Sequence, residues 1–353
     1  MTNKLKIPET LSCPLPIMDH DSIQLAHGAG GKLSAQLIEK LFLPRFGNQT
    51  LDKLEDQAIL NLPPGKLAFT TDSFVVDPIF FPGGDIGDLA VNGTVNDVCM
   101  SGAPPLYISV AFILEEGLPL ETLHRVLLSM EKSARAAGVI IVTGDTKVVN
   151  RGKCDQIFIN TSGLGVVPEG VNISAANLQT GDKIIISGTV ADHGMAVMTT
   201  REGLSFETRV KSDTAALNDI VYSMLKVSKN VHAMRDPTRG GLATSLNEFA
   251  RASKVGIVLQ ENAVPVKPEV AGACEILGID PLYVANEGKL VVVVPDNIAD
   301  DVLAAMRQHP LGKESAIIGE VVDENPGLVT MRTGLGAQRI VDMPVGDLLP
   351  RIC

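Results

Sequence analysis

Five carboxylates and one thiol stand out in this chain by where they fall. Asp56, Asp72 and Asp145 lie at the ends of β-like stretches or beside glycines, and Asp97 lies on a helical face. Asp236 opens a glycine-rich helix start, Asp236-Pro237-Thr238-Arg239-Gly240-Gly241. Taken singly, an aspartate in such a place is an ordinary cap or turn residue. Repeated around one cleft, aspartates suit bound Mg²⁺–nucleotide, because Mg²⁺ is commonly held by one or two carboxylates plus substrate phosphates. Glu287, in Asn286-Glu287-Gly288-Lys289, precedes a buried-looking strand, where its carboxylate either points into a site or sits in a solvated turn. The sequence closes on Pro350-Arg351-Ile352-Cys353. A thiol on the last residue can enter a pocket too narrow for an internal loop, and Pro350 pushes Leu349 towards an extended approach. The competing reading of this stretch is a frayed terminus.

Near the start, His27-Gly28-Ala29-Gly30-Gly31-Lys32 precedes a helical pattern and offers backbone N–H groups to an anion. It is not a Walker A loop, since Ala26 stands where the first glycine belongs, and Leu33 breaks the dinucleotide fingerprint. A tight turn without a ligand is the other reading of this stretch.

Alternating strands and helices must position these groups. Residues 1–22 read as an extended leader, and Leu33, Leu37, Ile38, Leu41 and Phe42 share one helical face. A short strand over Ala58–Leu62 and a turn at Pro63-Pro64-Gly65 precede a strand from Lys66 that ends in Thr70-Thr71-Asp72. A helix over Ile86–Met100 puts Asn92, Asn96 and Asp97 on one face. Next come a strand at 106–114, a helix at 119–137, a strand Val139–Val142 ending in Thr143-Gly144-Asp145-Thr146-Lys147, and a strand at 156–166. That order predicts a split βαβ sheet with helices over one face. Beyond a turn-rich boundary at 167–181, the pattern predicts an α/β second half, with strands at 183–187, 255–259, 290–295, 315–322 and 327–332. Its helices are expected at 192–201, 213–226, 242–252, 268–277 and 298–308.

The 353 residues are enough for two domains and a sizeable core. A net charge of −11 argues against nucleic acid or an anionic membrane as partner, so phosphate handling would need metal ions. The cysteines, Cys13, Cys99, Cys154, Cys274 and Cys353, form no Cys-x-x-Cys pair and are odd in number, which points to a reducing cytoplasm rather than a disulfide framework. No signal-peptide pattern opens the chain and no apolar run approaches ~18 residues.

Taken together and in this order, the His27-Gly28-Ala29-Gly30-Gly31, Thr70-Thr71-Asp72, Asn96-Asp97-Val98, Thr143–Lys147, Asp236–Gly241 and Pro350–Cys353 motifs resemble the HypE family of hydrogenase maturation factors. That family belongs to the ATP-binding (PurM-like) superfamily of aminoimidazole ribonucleotide synthetase, selenophosphate synthetase and thiamine monophosphate kinase. The resemblance spans roughly residues 23–353. It implies an N-terminal ATP-binding and dimerisation domain over 23–170, a C-terminal α/β domain over 178–337, and a flexible tail over 338–353 carrying the acceptor cysteine. It implies homodimers with ATP at the interface of paired sheets, and Mg²⁺ on Asp56, Asp72, Asp97, Asp145 and Asp236. Nucleotide contacts are implied at His27, Gly28, Gly30, Gly31, Asn96, Thr143, Thr146 and Arg239, with Lys147 and Glu287 near the modified Cys353.

The activity so implied is ATP-dependent dehydration of an S-carboxamide on Cys353 to an S-cyanide. HypF would load the carbamoyl group, and the HypC–HypD complex would receive the cyanide for the [NiFe]-hydrogenase iron. An amide oxygen leaves poorly, whereas an imidate phosphate expels phosphate readily, so the protein's part is positioning and charge neutralisation. Two protons leave the nitrogen, and Glu287 is the candidate base, needing burial to lift it from ~4.3. A thiol near ~8.5 suits a carrier loaded by another enzyme. Two other readings stay open: a kinase or synthetase acting on a free small molecule, and a non-catalytic thiol carrier with ATP as an effector.

Overall fold

The computed structural model describes residues 16, 18–204, 210–346, 349 and 351–353. Most of the expected leader, Cys13 and Pro350 lie outside the described residues. The chain opens with a 3₁₀ turn at Leu25–Gly28, then α1 (Lys32–Leu37), a π-turn (Ile38–Phe42) and α2 (Leu43–Phe46). The first sheet follows as β1 (Lys66–Phe74), a small β2–β3 ribbon (Phe80–Phe81, Gly84–Asp85), α3 (Ile86–Met100), β4 (Pro105–Glu115), α4 (Leu120–Ala137), β5 (Ile140–Val149) and β6 (Ile157–Val167).

Its four strands lie in the order β1-β6-β4-β5, so β6 is inserted between the two strands joined by α3, the split βαβ arrangement. α3 starts where Asp85 accepts the N–H groups of Gly87 (2.8 Å) and Asp88 (3.3 Å). α4 buries Leu120, Leu123, Val126, Leu127 and Met130 at helical spacing, and Gly138 ends it with a positive φ of 70°. Gly87 lets the two helices close: a Cβ there would lie 2.4 Å from the Val126 carbonyl. Both helices cover one face of the sheet, and the other face is left open.

The second half contains β7 (Lys183–Ile186), α5 (Asp192–Arg201), α6 (Asn218–Val227), β8 (Ala233–Arg235), α7 (Gly241–Ser253), β9 (Gly256–Gln260) and α8 (Pro268–Leu277). It continues with β10 (Val291–Val294), α9 (Asp296–Gln308), β11 (Ala316–Val322), β12 (Val329–Arg332) and β13 (Gln338–Ile340). Seven of these strands form one sheet, β13-β12-β9-β11-β7-β10-β8. Ile184, Ile186, Val291 and Val293 face the α7 side, while Ile185, Val292 and Val294 face α6 and α9. Burial on both faces explains why these strands read as unbroken apolar runs.

Four expectations change. The two strands expected to stop at Thr71 and Val142 run on through Asp72 to Phe74 and through Asp145 to Val149, because β6 and β4 continue to pair with them. Residues 58–62 form no strand, since no sheet strand among the described residues pairs with them, and Ile59 is 72% exposed. Residues 213–217 form no helix: Leu217 is tied to Asn96 of α3, and Asp213 to the loop before β10. The tail expected to be flexible is packed at Leu349 and Ile352, which belong to a core cluster drawn from both halves, whereas Ile340 and Val345 are exposed.

Candidate active site

A cleft opens where β1, α3, the loop entering α7 and the loop entering β10 meet. It is lined by Thr71 and Asp72 from β1, Gly93 and Asp97 from α3, Asp236, Thr238 and Arg239, Glu287, and Cys353. Alternation along β1 puts Thr70 and Asp72 on the helix-covered face. There the Thr70 hydroxyl donates to Asp97 Oδ2 at 2.8 Å, fixing the two elements' carboxylates side by side. Asp72 Oδ1 accepts the Ser73 N–H (2.8 Å) and has the Arg239 guanidinium 3.7 Å away.

The carboxylates repel one another in a poorly hydrated space. Burial raises Asp72 from its ordinary value against the pull of Ser73 and Arg239. Burial likewise raises Asp97, with Asp72 adding to the effect. Asp236 is pushed up to about 7 by burial and then by Asp97. Glu287, 2% exposed, is held well above the usual carboxylate range by burial first and then by Asp236, Asp213, Asp72 and Asp97. Its Oε1 is buried with no hydrogen-bond partner among the described residues. Among the described residues no three His, Cys, Asp or Glu groups are drawn together into a finished metal site. An orphaned carboxylate oxygen and crowded acids in one cleft nevertheless fit a divalent cation that takes its remaining ligands from phosphate.

The tail reaches this cleft along a defined path. The amides of Val75 and Asp77 donate to the carbonyls of Cys353 (3.1 Å) and Arg351 (3.2 Å), so the tail runs antiparallel to the segment leaving β1. The Arg201 guanidinium clamps both sides of that pair, donating to the carbonyls of Asp77 (2.6 Å) and Arg351 (2.7 Å). Arg351 pairs with Asp155 at 3.1 Å. Ile352 is buried in the seam, near Gly194, where a Cβ would meet its Cδ1 at 3.3 Å.

A second, larger hollow lies at the opposite edge of the first sheet. Its lining includes His27, Gly28, Gly30, Thr143, Asp145, Thr146 and Lys147, over an apolar floor of Leu37, Phe42 and Phe112. Gly28 is required by close approach, since a Cβ would lie 2.6 Å from the Val148 amide nitrogen, and Gly30 has φ +76°. His27 is buried and its Nδ1 accepts the Gln24 N–H at 2.9 Å; burial lowers its pKa. Gly31 is not at the hollow's wall but precedes α1, its carbonyl accepting the Ala35 N–H.

Within one chain, then, most of the residues singled out from sequence fall into two groups. Asp72, Asp97, Asp236, Arg239, Glu287 and Cys353 converge. Asp145, Lys147, Thr143 and Thr146 lie across the sheet, with Lys147 Nζ 3.4 Å from Asp145 rather than near Cys353. Asp56 is exposed in a bend and lines neither cavity. Asn96, expected to contact nucleotide, is fully buried: it accepts the Leu217 N–H (2.8 Å) and donates to the carbonyls of Ala215 (3.1 Å) and Glu287 (3.2 Å). Sequence reasoning missed Asp213, which accepts the N–H groups of Glu287 (3.2 Å) and Gly288 (3.3 Å) and pairs with Lys289 at 3.0 Å. Burial would raise Asp213, but Lys289, His193 and those amides outweigh it and hold it low. The helix expected over 213–226 concealed it. His193 and Arg201 were also missed; an Asp-His pair opening a helix was the available signal for the former.

Comparison with known proteins agrees with this architecture. Residues 54–167 match the family described as AIR synthase related protein, N-terminal domain, and residues 179–331 match its C-terminal domain. The chain is 55% identical over 332 residues to carbamoyl dehydratase HypE of Cupriavidus necator, covering 94% of this chain and 95% of that protein. It is 50% identical over 338 residues to carbamoyl dehydratase HypE of Escherichia coli K12, covering 94% and 100%. Among solved structures, a HypE in complex with ATP superposes with a TM-score of 0.90 at 50% identity, covering 93% of this chain and 99% of that one. A HypE–HypF complex gives a TM-score of 0.77 at 51% identity, covering 87% and 99%. With two matched domains in sequence and the terminal cysteine beside its acidic cleft, the chain belongs to the HypE family of carbamoyl dehydratases, enzymes of hydrogenase maturation.

Proposed function

We propose that this chain uses ATP and Mg²⁺ to dehydrate a carbamoyl group carried on Cys353, turning the S-carboxamide into an S-cyanide for the iron of a [NiFe]-hydrogenase. The observation that carries this reading is that Cys353 lines the same cleft as Asp72, Asp97, Asp236 and Glu287. A free small-molecule substrate would find its place taken by the tail.

In the first step the carbamoyl oxygen attacks the γ-phosphorus, an N–H proton departs, and ADP leaves an O-phosphorylated S-linked imidate. In the second, the remaining N–H proton is removed as the C–O bond breaks, giving S–C≡N and phosphate. Glu287 is the base: buried among other acids, it is driven to take up a proton and lies in the cleft that receives the amide. Mg²⁺ held by Asp72, Asp97 and Asp236 would supply positive charge for the transferring phosphoryl group. Arg239, exposed at the cleft mouth beside Asp72, is a phosphate contact of the same kind.

The second hollow, with its apolar floor and glycine loop, suits the adenosine end of ATP, and a similar HypE is known in complex with ATP. We propose a homodimer in which the open sheet faces pair, bringing Asp145, Lys147 and Asp56 of one copy towards the acidic cleft of the other. In support, that face exposes Leu67 (56%), Phe69 (68%), Ile113 and Ile140, and β1 is an edge strand. The functional division proposed is nucleotide binding and pairing over 23–170, the α/β unit over 178–337, and the acceptor tail over 338–353.

HypF, known in complex with a similar HypE, is the proposed carbamoyl donor, and the HypC–HypD complex is the proposed cyanide acceptor. No helix among the described residues is long and apolar enough to cross a membrane, and no disulfide joins the described cysteines; we propose that the protein acts in the cytoplasm. The test is phosphate release from ATP by carbamoylated protein, followed with the mass of the C-terminal peptide. Release that depends on the carbamoyl group, with loss of one water from the peptide, is expected. Equal turnover by the Cys353→Ala variant would sink the reading.

A further inference from the structure

The reaction as derived leaves unused a fully buried imidazole. His193, in the first turn of α5, is 0% exposed and packs edge-on against Phe81. Its Nε2 lies 2.7 Å from the carbonyl oxygen of Ile352, the last peptide carbonyl before Cys353. Its Nδ1 lies 2.8 Å from Ser212 Oγ. A carbonyl only accepts, so Nε2 carries the proton and Nδ1 accepts from the Ser212 hydroxyl. The Ser212 oxygen in turn accepts the Thr214 N–H at 3.1 Å, which leaves its own proton for the ring. Burial keeps the imidazole neutral by lowering its pKa, with Asp213 and the Ile352 carbonyl opposing.

The residue next to Ser212 holds the other half of the chemistry. Asp213 accepts the N–H groups of Glu287 and Gly288 and the Lys289 ammonium, fixing the loop that carries the base. One two-residue segment therefore grips the tail through His193 and the Glu287 loop directly. The rest of the tail is held without His193, by Arg201, by the amides of Val75 and Asp77, and by the burial of Ile352. Removing the imidazole thus leaves the tail docked and frees only its last peptide.

We propose that His193 is a positioning residue for the dehydration step: as the neutral Nε2–H tautomer it orients the Ile352–Cys353 peptide so that the sulfur-borne amide faces Glu287, and Ser212–Asp213 keeps that peptide and the base in register. This deepens the function proposed above and rests on it. A misplacement of about 1 Å at a reacting group is enough to cost ~10²-fold in rate.

The experiment compares His193→Gln, His193→Asn, His193→Ala and Ser212→Ala in single turnovers of carbamoylated protein at saturating Mg²⁺–ATP, with ATP affinity measured alongside. His193→Ala is expected to lose about 10²-fold in S-cyanide formation, with ATP affinity within about twofold of the parent. Gln, whose Nε2–H reaches the same carbonyl, restores the rate to within about tenfold of the parent, and Asn, too short, does not. Ser212→Ala falls between Gln and Ala. Iodoacetamide labelling of Cys353 in protein without carbamoyl groups gives a readout independent of the reaction: faster in Ala than in Gln. A parent-like rate in His193→Ala, or Gln no better than Ala in both rate and labelling, overturns the proposal. Failure of the unmutated carbamoylated protein to form S-cyanide would instead overturn the underlying function, leaving the labelling series to judge His193.

Discussion

Asp72 and Asp145 lie almost in one transverse row of the first sheet, yet at its opposite edges and on its opposite faces. Asp72 pairs with Thr161, Thr161 with Val110, and Val110 with Gly144, the neighbour of Asp145. Three strand spacings separate them, about 14 Å. Val110 and Thr161 mark the helix-covered face shared by Asp72, whereas Asp145 sits opposite Ala111 on the open one. No small movement of one chain could put both on one metal ion.

The dimer prediction follows from that separation. Phe69→Arg, placed on the open face of the edge strand, should convert a particle of about twice 37.4 kDa into a monomer in light scattering, with ATP turnover lost. A dimeric Phe69→Arg variant would mean that the copies pair elsewhere.

Glu287→Gln keeps the side chain's shape and removes its basicity. Since general base catalysis contributes about 10²–10⁴-fold, S-cyanide formation should fall by at least 10², with ATP affinity equal or higher because one buried acid is gone. A variant within threefold of the parent would show that another group takes the proton.

Asn96→Ala separates structure from ligand contact. It strands the Leu217 N–H and the carbonyls of Ala215 and Glu287 in the interior, at a cost of about 2–4 kcal/mol, which should appear as a lower urea midpoint. An unchanged midpoint with weakened ATP binding would assign Asn96 to the nucleotide instead.

Asp88 predicts a pH effect on stability. Burial and the neighbouring Asp85 push its carboxyl up to about 8 from an ordinary 3.8. Between those pH values the folded chain holds a proton that the unfolded chain has released, so stability falls as pH rises through the window. Asp88→Asn keeps an acceptor for the Asp85 N–H and should flatten the fall in melting temperature between pH 5 and pH 8 relative to the parent. Parallel pH profiles for the two proteins would contradict this.

Much of the frame was legible. Apolar spacing in α4, unbroken valines in β10 and Gly138 after a helix each state a local preference that tertiary packing does not oppose. Strand ends were less so. Thr70-Thr71-Asp72 and Thr143–Lys147 look like exits by composition, but a ladder of hydrogen bonds from the next strand carries both onwards. Asp213 was hidden for a similar reason, since hydrogen bonds to Asn96 and to the Glu287 loop hold its segment out of the helix.

By itself the sequence determined the chemistry on offer: acids near glycine-rich turns, a final thiol, and two α/β units to carry them. Only the tertiary structure decided which of these groups meet. Cys353 comes beside Glu287 because Ile352, Arg201 and His193 seat the tail against an element 150 or more residues away in the chain. Local pattern records what each residue can do, but contact across such distances is set by burial and hydrogen bonding that exist only once the whole chain has packed.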